Sequence, residues 1–210
     1  MEDFNNENMG LLKTFSGKVN ECGVDEVGRG CLAGPVVACA VILPENFYLA
    51  GLRDSKKLTA DKREEYSRFI RDSKAIIGIA EVWPARIDEV NILNATFEAM
   101  HLALDKLSIR PEHIICDGNQ FRPYDMVPYT TIIKGDDAYL SIAAASVVAK
   151  VYRDKLMDEL AKEFPVYAWE RNKGYGTKAH TDAIRKNGLT KYHRVTFINS
   201  KMTQVEDGVS

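Results

Sequence analysis

Four acidic residues stand in settings that could do chemistry. Asp25 and Glu26 close an apolar run that begins at Val19. Asp117 closes Ile114-Ile115-Cys116, and Asp136 follows Ile132-Ile133-Lys134-Gly135. An unpaired charge beside a buried strand is expensive, because it gives up hydration near a low-dielectric core. Several such acids converging at one end of a sheet repel each other unless a cation sits among them. Magnesium suits that arrangement: it takes oxygen ligands and keeps waters and substrate phosphates in its shell. Two such ions about 4 Å apart form a clamp for in-line attack on a phosphodiester. Each acid also has a plain structural reading, since Asp and Glu are common in turns and Asp117-Gly118 is a turn dipeptide. Spacing alone leaves a site and a set of turns equally open.

The elements that must position these acids can be read from periodicity. Residues 19–26, 36–43, 75–83, 113–116 and 129–134 read as strands from their β-branched and apolar content. Pro44 and Pro84 stop the second and third. Thr59 caps a charged helix over residues 60–73. Residues 87–107 carry helical spacing through Ile92, Leu93, Phe97, Met100, Leu104 and Leu107. A long helix spans residues 141–164, alanine-rich at its start and amphipathic later. Three early strands followed by helices alternating with strands indicate an α/β sheet of mixed strand order.

The glycines Gly28, Gly30 and Gly34 follow the first strand, as in a dinucleotide-binding loop. That motif needs a helix to open at the glycines. Here Pro35 and a β-branched strand follow instead, and Gly34 comes one residue too late. A glycine turn that lets backbone amides approach a sugar or phosphate remains compatible with the pattern.

Composition narrows the class. At 210 residues the chain has a one-domain length, enough to bury a core without staples. No apolar run approaches the length needed to span a bilayer, and residues 1–8 are too acidic and polar for a secretory signal. Cys22, Cys31, Cys39 and Cys116 form no CxxC pair, which points to reduced, buried thiols in a cytoplasmic protein. The net charge of -2 argues weakly against a nucleic-acid partner, but distribution outweighs the sum. Across residues 171–201 lie Arg171, Lys173, Lys178, Arg185, Lys186, Lys191, Arg194 and Lys201, with His180 and His193 among them. Asp182 is the only acid within that run. A second basic stretch from Arg53 to Arg63 is diluted by Asp54 and Asp61, and reads as a solvated helix face.

These residues also carry a family likeness. The string Gly23-Val24-Asp25-Glu26-Val27-Gly28-Arg29-Gly30, continued by Leu32-Ala33-Gly34-Pro35-Val36-Val37, resembles the signature of ribonuclease H type 2, the bacterial ribonuclease HII family. Asp54-Ser55-Lys56-Lys57-Leu58 resembles its second block and Asp117-Gly118-Asn119 its third. Lys134-Gly135-Asp136 with Ser141-Ile142-Ala143-Ala144-Ala145-Ser146 and Ala149-Lys150-Val151 resembles the fourth. Lys173-Gly174-Tyr175-Gly176-Thr177 and His193-Arg194 complete the order. Val27 stands where alanine is usual, and Cys31 where proline is usual. Asp137 beside Asp136 makes the register of the fourth acid ambiguous; the family pattern selects Asp136.

The resemblance implies a ribonuclease H-like fold: a five-stranded mixed sheet flanked by helices, with a helical C-terminal segment. Residues 1–18 read as a polar leader and residues 201–210 as a disordered tail, with the catalytic domain expected over residues 19–200. The resemblance also implies an endonuclease that uses divalent metal, Mg2+ or Mn2+. The implied substrates are RNA–DNA hybrids and duplex DNA containing single ribonucleotides, and the products carry 5′-phosphate and 3′-hydroxyl ends. Asp25, Glu26, Asp117 and Asp136 match the catalytic, metal-binding acids. Gly28, Arg29 and Gly30 match the turn that reads the ribose 2′-hydroxyl, and Lys57 matches a substrate contact. Tyr175 matches the aromatic residue that packs on the sugar at an RNA–DNA junction; from its residues alone it is as readily a loop tyrosine packed on the core. Two rivals stand beside this reading. One is a non-catalytic nucleic-acid-binding module on the same fold, against which the intact acid set speaks. The other is ribonuclease HIII, whose extra N-terminal domain the short leader does not accommodate. A membrane partner is not expected, and a monomer is the default.

The acid-poor run generates one prediction. Neutralising Lys178 and Arg185 should weaken binding to any duplex and flatten its salt dependence, because each lost phosphate contact lowers the slope of log K against log salt by roughly 0.9. Binding titrations across salt concentrations check this, and an unchanged slope means the run is only a solvated surface.

Overall fold

The computed structural model describes residues 10–198. Strands β1 (Glu21–Val27), β2 (Val36–Ile42), β3 (Ile76–Val82), β4 (His113–Asp117) and β5 (Tyr129–Ile132) form one mixed sheet in the order β3-β2-β1-β4-β5. The helices are α1 (Ala60–Asp72), α2 (Pro84–Val90), α3 (Ile92–Asp105), α4 (Leu140–Glu163), α5 (Trp169–Asn172) and α6 (Lys178–Asn187). Every residue of β2 is buried, as its uninterrupted apolar run requires. Thr59 caps α1 by accepting a hydrogen bond from the Lys62 amide.

One expected element divides. The helical spacing over residues 87–107 belongs to two helices, because Asn91 adopts φ +67° and leaves the helical region. With ψ 164° this is a conformation that non-glycine residues rarely adopt. Asn91 Oδ1 then accepts from the Asn94 amide at 3.1 Å and starts α3 afresh. Pro84 does more than stop β3. It occupies the first turn of α2, where a missing N–H removes nothing.

The chain forms two compact units interleaved along the sequence. The first takes the chain through Glu26, Ala38–Ala80 and Met100–Val151; the second takes Val27–Val37, Glu81–Ala99 and the chain from Tyr152 onward. In the first unit Cys22, Val24, Cys39, Val41, Ile114, Ile115 and Ile142 are fully buried. The first turn of α4 lies so close to β1 that a Cβ on Gly23 would sit 2.2 Å from the Ser141 carbonyl carbon. Glycine at position 23 is what lets the helix come down onto the strand that carries Asp25. In the second unit Leu32, Met157, Tyr167, Trp169 and Ile184 make a core of their own, with the Tyr167 and Trp169 rings stacked at 5.1 Å.

All four cysteines are free and buried. Burial pushes the Cys22, Cys39 and Cys116 thiols up, which keeps them protonated and unreactive. Among the described residues no helix is long and apolar enough to cross a membrane.

Gly23→Ala should lower the denaturation midpoint sharply. The clash is with backbone, which cannot swing aside, and overpacking of this kind costs about 1–3 kcal/mol or more. Urea unfolding followed by circular dichroism checks it; a midpoint equal to wild type would show that α4 can back away from β1 freely.

Candidate active site

β1 and β4 run parallel, with Val24 opposite Cys116. The next residue along each strand is an acid, so Asp25 and Asp117 emerge side by side at the same end of the sheet. β4 pairs in parallel with β5, with Asp117 opposite Ile132. Beyond Ile132 the chain turns through Lys134, at φ +58°, into a single 3-10 turn holding Gly135, Asp136 and Asp137. The Gly135 amide donates to Asp117 Oδ1 at 2.7 Å and fastens this turn to the end of β4. Asp25 and Asp136 are 6% and 5% exposed, whereas Glu26 and Asp117 are half-buried.

The electrostatics follow from this crowding. Burial, then the charges of Glu26, Asp117 and Asp136, hold the Asp25 carboxyl well above the usual carboxylate range; a hydrogen bond from Ser146 opposes the shift. Burial, then Asp117 and Asp54, push Asp136 up to about 6, against the pull of Lys56. Lys56 feels the same acids. Burial lowers its pKa, but Asp54, Asp136, Asp25 and Asp117 together raise it above the lysine norm. Asp25 Oδ1 accepts from the Glu26 amide at 2.7 Å. Ser146, on α4, is also hydrogen-bonded to Ser55 at 3.0 Å between hydroxyl oxygens. Among the described residues no three His, Cys, Asp or Glu side chains close on one point as a finished metal cage. The cluster is a set of oxygen donors in mutual repulsion, which is what a hard divalent cation relieves.

In the second unit the Gly28-Arg29-Gly30 turn is built on two fully buried arginines. Arg194 donates from Nη2 to the Gly28 carbonyl at 2.7 Å, from Nη1 to the Arg29 carbonyl at 2.7 Å, and from Nε and Nη2 to the Gly34 carbonyl at 3.1 and 2.9 Å. Arg153 donates to the carbonyls of Pro35, Lys173 and Ala33. Gly28 has φ +92°, and a Cβ there would meet Arg153 Nε at 2.2 Å, so no other residue fits. Burial lowers the Arg194 pKa to about 10. Tyr175 sits in the following loop, 41% exposed and bridged to Cys31 in antiparallel fashion.

A family model described as ribonuclease HII matches residues 22–200. The chain belongs to the ribonuclease HII family. It is a ribonuclease H, an endonuclease of the hydrolase class. Ribonuclease HII of Christiangramia forsetii is 52% identical over 187 residues, covering 89% of this chain and 94% of that one. The crystal structure of ribonuclease H2 from Pyrococcus horikoshii OT3 aligns with a TM-score of 0.69 at 26% identity, over 89% of this chain and 98% of that one. Bst-RNase HIII in complex with Mn2+ shares the fold, with a TM-score of 0.65 at 19% identity over 90% of this chain and 70% of that one.

For a ribonuclease HII the residues singled out above fall into place unevenly. Asp25, Glu26, Asp117 and Asp136 come together in the first unit. Asp137 does not join them; it is exposed and ion-paired with Lys57. Lys57 is thereby engaged, and its neighbour Lys56 faces the acids instead. Gly28, Arg29, Gly30 and Tyr175 lie in the second unit, with Arg29 and Gly30 exposed. The basic run divides. Lys178, Arg185, Lys186 and Lys191 are exposed, while Arg194, His180 and His193 are buried and unavailable to phosphates. Lys178 and Arg185 share Asp182 in surface ion pairs, which are weak enough to yield to a phosphate. Lys201 lies outside the described residues. Reading from sequence missed Ser146, Ser55, Lys56 and Arg153. Ser55, Lys56 and Ser146 stood inside recognised blocks, and Arg153 stood among Lys150, Asp154 and Lys155 in the charged part of α4, which hid it.

The raised Asp25 pKa has a definite sign. Without metal, the folded chain binds that proton more tightly than the unfolded chain, whose carboxyl titrates near 3.8. The metal-free fold therefore loses stability as pH rises above that value and through the raised one. Asp25→Asn removes the loss. Its metal-free Tm at neutral pH should rise, by roughly 2–4 °C for each ~1 kcal/mol relieved, and should converge with wild type near pH 4. Cleavage should vanish in the same variant. Calorimetry in chelator and a hybrid-cleavage assay check both, and wild-type cutting by the variant in magnesium rejects Asp25 as a working residue.

Proposed function

We propose that this chain hydrolyses the RNA strand of RNA–DNA hybrids and cuts on the 5′ side of a single ribonucleotide in duplex DNA, leaving 5′-phosphate and 3′-hydroxyl ends. The observation that carries the reading is the convergence of Asp25, Glu26 and Asp117 at the ends of β1 and β4 with Asp136 in the turn after β5, two of the four carboxyls being buried. These four would hold divalent metal, Mg2+ or Mn2+; the Mn2+ complex of Bst-RNase HIII supports a metal in this fold. When bound, a pair of such ions supplies activation of the attacking water and stabilisation of the leaving 3′-oxygen.

The protein groups have their own tasks. Ser146 and the Glu26 amide orient the Asp25 carboxylate, and the Gly135 amide orients that of Asp117. Lys56 offers a cation to anionic groups that approach the acids. The Gly28-Arg29-Gly30 turn, held from behind by Arg194, would read one ribose 2′-hydroxyl, the group that separates RNA from DNA at a given position. Val27 alone separates Glu26 from this turn in the chain. Tyr175 presents a half-exposed ring to a sugar, and a deoxyribose carries no 2′-hydroxyl to obstruct packing. A ribose followed by a deoxyribose is a junction. Lys178, Arg185, Lys186 and Lys191 would hold phosphates without sequence preference. The enzyme is read as a monomer of the cytoplasm, where free cysteines persist.

The test is a labelled duplex with one ribonucleotide, resolved on a sequencing gel. The expected product is a single magnesium-dependent cut 5′ to that ribonucleotide, with an all-DNA duplex resistant. Losing the buried partner of one hydrogen bond costs ~1–3 kcal/mol, and misplacing the scissile phosphate adds to it. Cleavage of long hybrids with none at the single ribonucleotide leaves only a generic hybrid nuclease.

A further inference from the structure

His180 and His193 are 0% and 2% exposed and take no part in the reading above. Burying imidazoles is costly unless their nitrogens are satisfied, and here all four are, with a fixed direction. The Thr190 amide donates to His193 Nδ1 at 2.9 Å, so that nitrogen is bare and the His193 proton sits on Nε2. His193 Nε2 lies 3.3 Å from His180 Nε2. Trp169 Nε1 also donates to His180 Nε2, at 3.0 Å, so His180 is bare there and carries its proton on Nδ1. That proton faces the loop before α6: Nδ1 lies 3.0 Å from the Tyr175 carbonyl oxygen, with the backbone of Gly174 as a further partner. The chain of donors therefore runs from Thr190 through His193 and His180 and ends on the backbone of Tyr175.

The rest of the Tyr175 backbone is pinned as well. Its N–H donates to the Asn172 carbonyl at 2.8 Å, and its carbonyl also accepts from the Thr177 amide at 2.8 Å. With the backbone so tied, the ring lies partly exposed, its hydroxyl paired with the Cys31 thiol. His180 opens α6, in the first turn after the Thr177 cap, and Thr177 Oγ1 accepts from the His180 amide at 3.3 Å. Helix start and tyrosine loop thus share one histidine.

We propose that His180 is the positioning residue for Tyr175: its Nδ1–H, directed by His193 and Trp169, sets the pose of the ring that distinguishes a ribose–deoxyribose junction from a continuous hybrid. This rests on the junction reading of Tyr175. Burial pulls both imidazoles toward the neutral form, His193 to about 4, in keeping with the single-proton arrangement on each ring.

A merely structural histidine and a positioning one are separated by two substitutions. Asparagine places its amide N–H where Nδ1–H was; glutamine reaches the Nε2 position and leaves the Tyr175 carbonyl without its side-chain donor. Both lose the ring, so a packing role predicts similar damage from each. The readout is the ratio of kcat/KM on a duplex with one ribonucleotide to kcat/KM on a long RNA–DNA hybrid, for wild type, His180→Asn, His180→Gln and Tyr175→Ala. His180→Gln should lower the ratio about tenfold, in step with Tyr175→Ala, as expected for a contact displaced by a fraction of an ångström. His180→Asn should keep most of it. In the wild-type protein, 15N NMR of the histidine rings should show His180 protonated on Nδ1 and His193 on Nε2, a test that needs no variant to fold. Equal loss in both His180 variants, an unchanged ratio in His180→Gln, or a His180 proton on Nε2 overturns the proposal while leaving the Tyr175 reading in place. An unchanged ratio in Tyr175→Ala removes that reading and this one together.

Discussion

Asp25 gives up its water when β1 joins the sheet, and Glu26, Asp117 and Asp136 lie near enough to push its pKa further up. Nothing in hydrophobic burial offsets that. The groups that do are few and local: the Ser146 hydroxyl, the Glu26 amide and the charge of Lys56. Each depends on a backbone placement. Ser146 reaches Asp25 because α4 descends onto β1 at Gly23, where no side chain intervenes. Asp117 emerges beside Asp25 because β1 and β4 are parallel and in register. Asp136 is brought in because Lys134 turns left-handed and the Gly135 amide grips Asp117. The first unit is arranged around a repulsion it does not itself relieve, and that unrelieved repulsion is the thermodynamic basis for taking up a cation.

The second unit solves the opposite problem. Its buried charges are cations, and they are satisfied by backbone carbonyls. Arg153 bridges the Ala33 and Pro35 carbonyls to that of Lys173, and Arg194 gathers those of Gly28, Arg29 and Gly34, which replaces part of an apolar core with directed hydrogen bonds. Charge-assisted bonds of this type are among the stronger ones available. They also fix geometry in a way that apolar packing does not, since a carbonyl must point at its donor. A glycine turn is otherwise the most mobile kind of backbone; here its carbonyls face inward to Arg194. The neighbouring histidines continue the same device, with imidazole nitrogens in place of guanidinium ones.

Family membership and these two arrangements agree on the class of chemistry. Under the proposed function the acids would serve cleavage of a phosphodiester, and the pinned turn and the half-exposed Tyr175 would serve selectivity between sugars. The exposed lysines and arginines of α6 and the loop after it would, on the same proposal, add affinity without sequence preference. Net charge says little about this division of labour, because acids are concentrated in one place and bases in another.

Much of this was legible before any coordinates. Local signals determined the five strands, the Thr59 cap, the long helix α4 and the four acids at strand ends, since side-chain periodicity and turn chemistry act between residues close in sequence. The ordered blocks from Gly23 to Arg194 determined the family. Other features were decided by tertiary structure alone. Asn91 divides a helix that periodicity drew as one, because its side chain caps the helix that follows. Lys56 rather than Lys57 faces the acids, because Asp137 captures the latter. Arg194, His180 and His193 looked like members of a basic surface and are instead interior. Whether a cation is solvated or buried depends on what lies opposite it, and for Arg194 that is the carbonyl of Gly28, 166 positions away in the chain. A sequence displays the charge; only the folded chain supplies the partner that determines whether that charge meets water, phosphate or its own backbone.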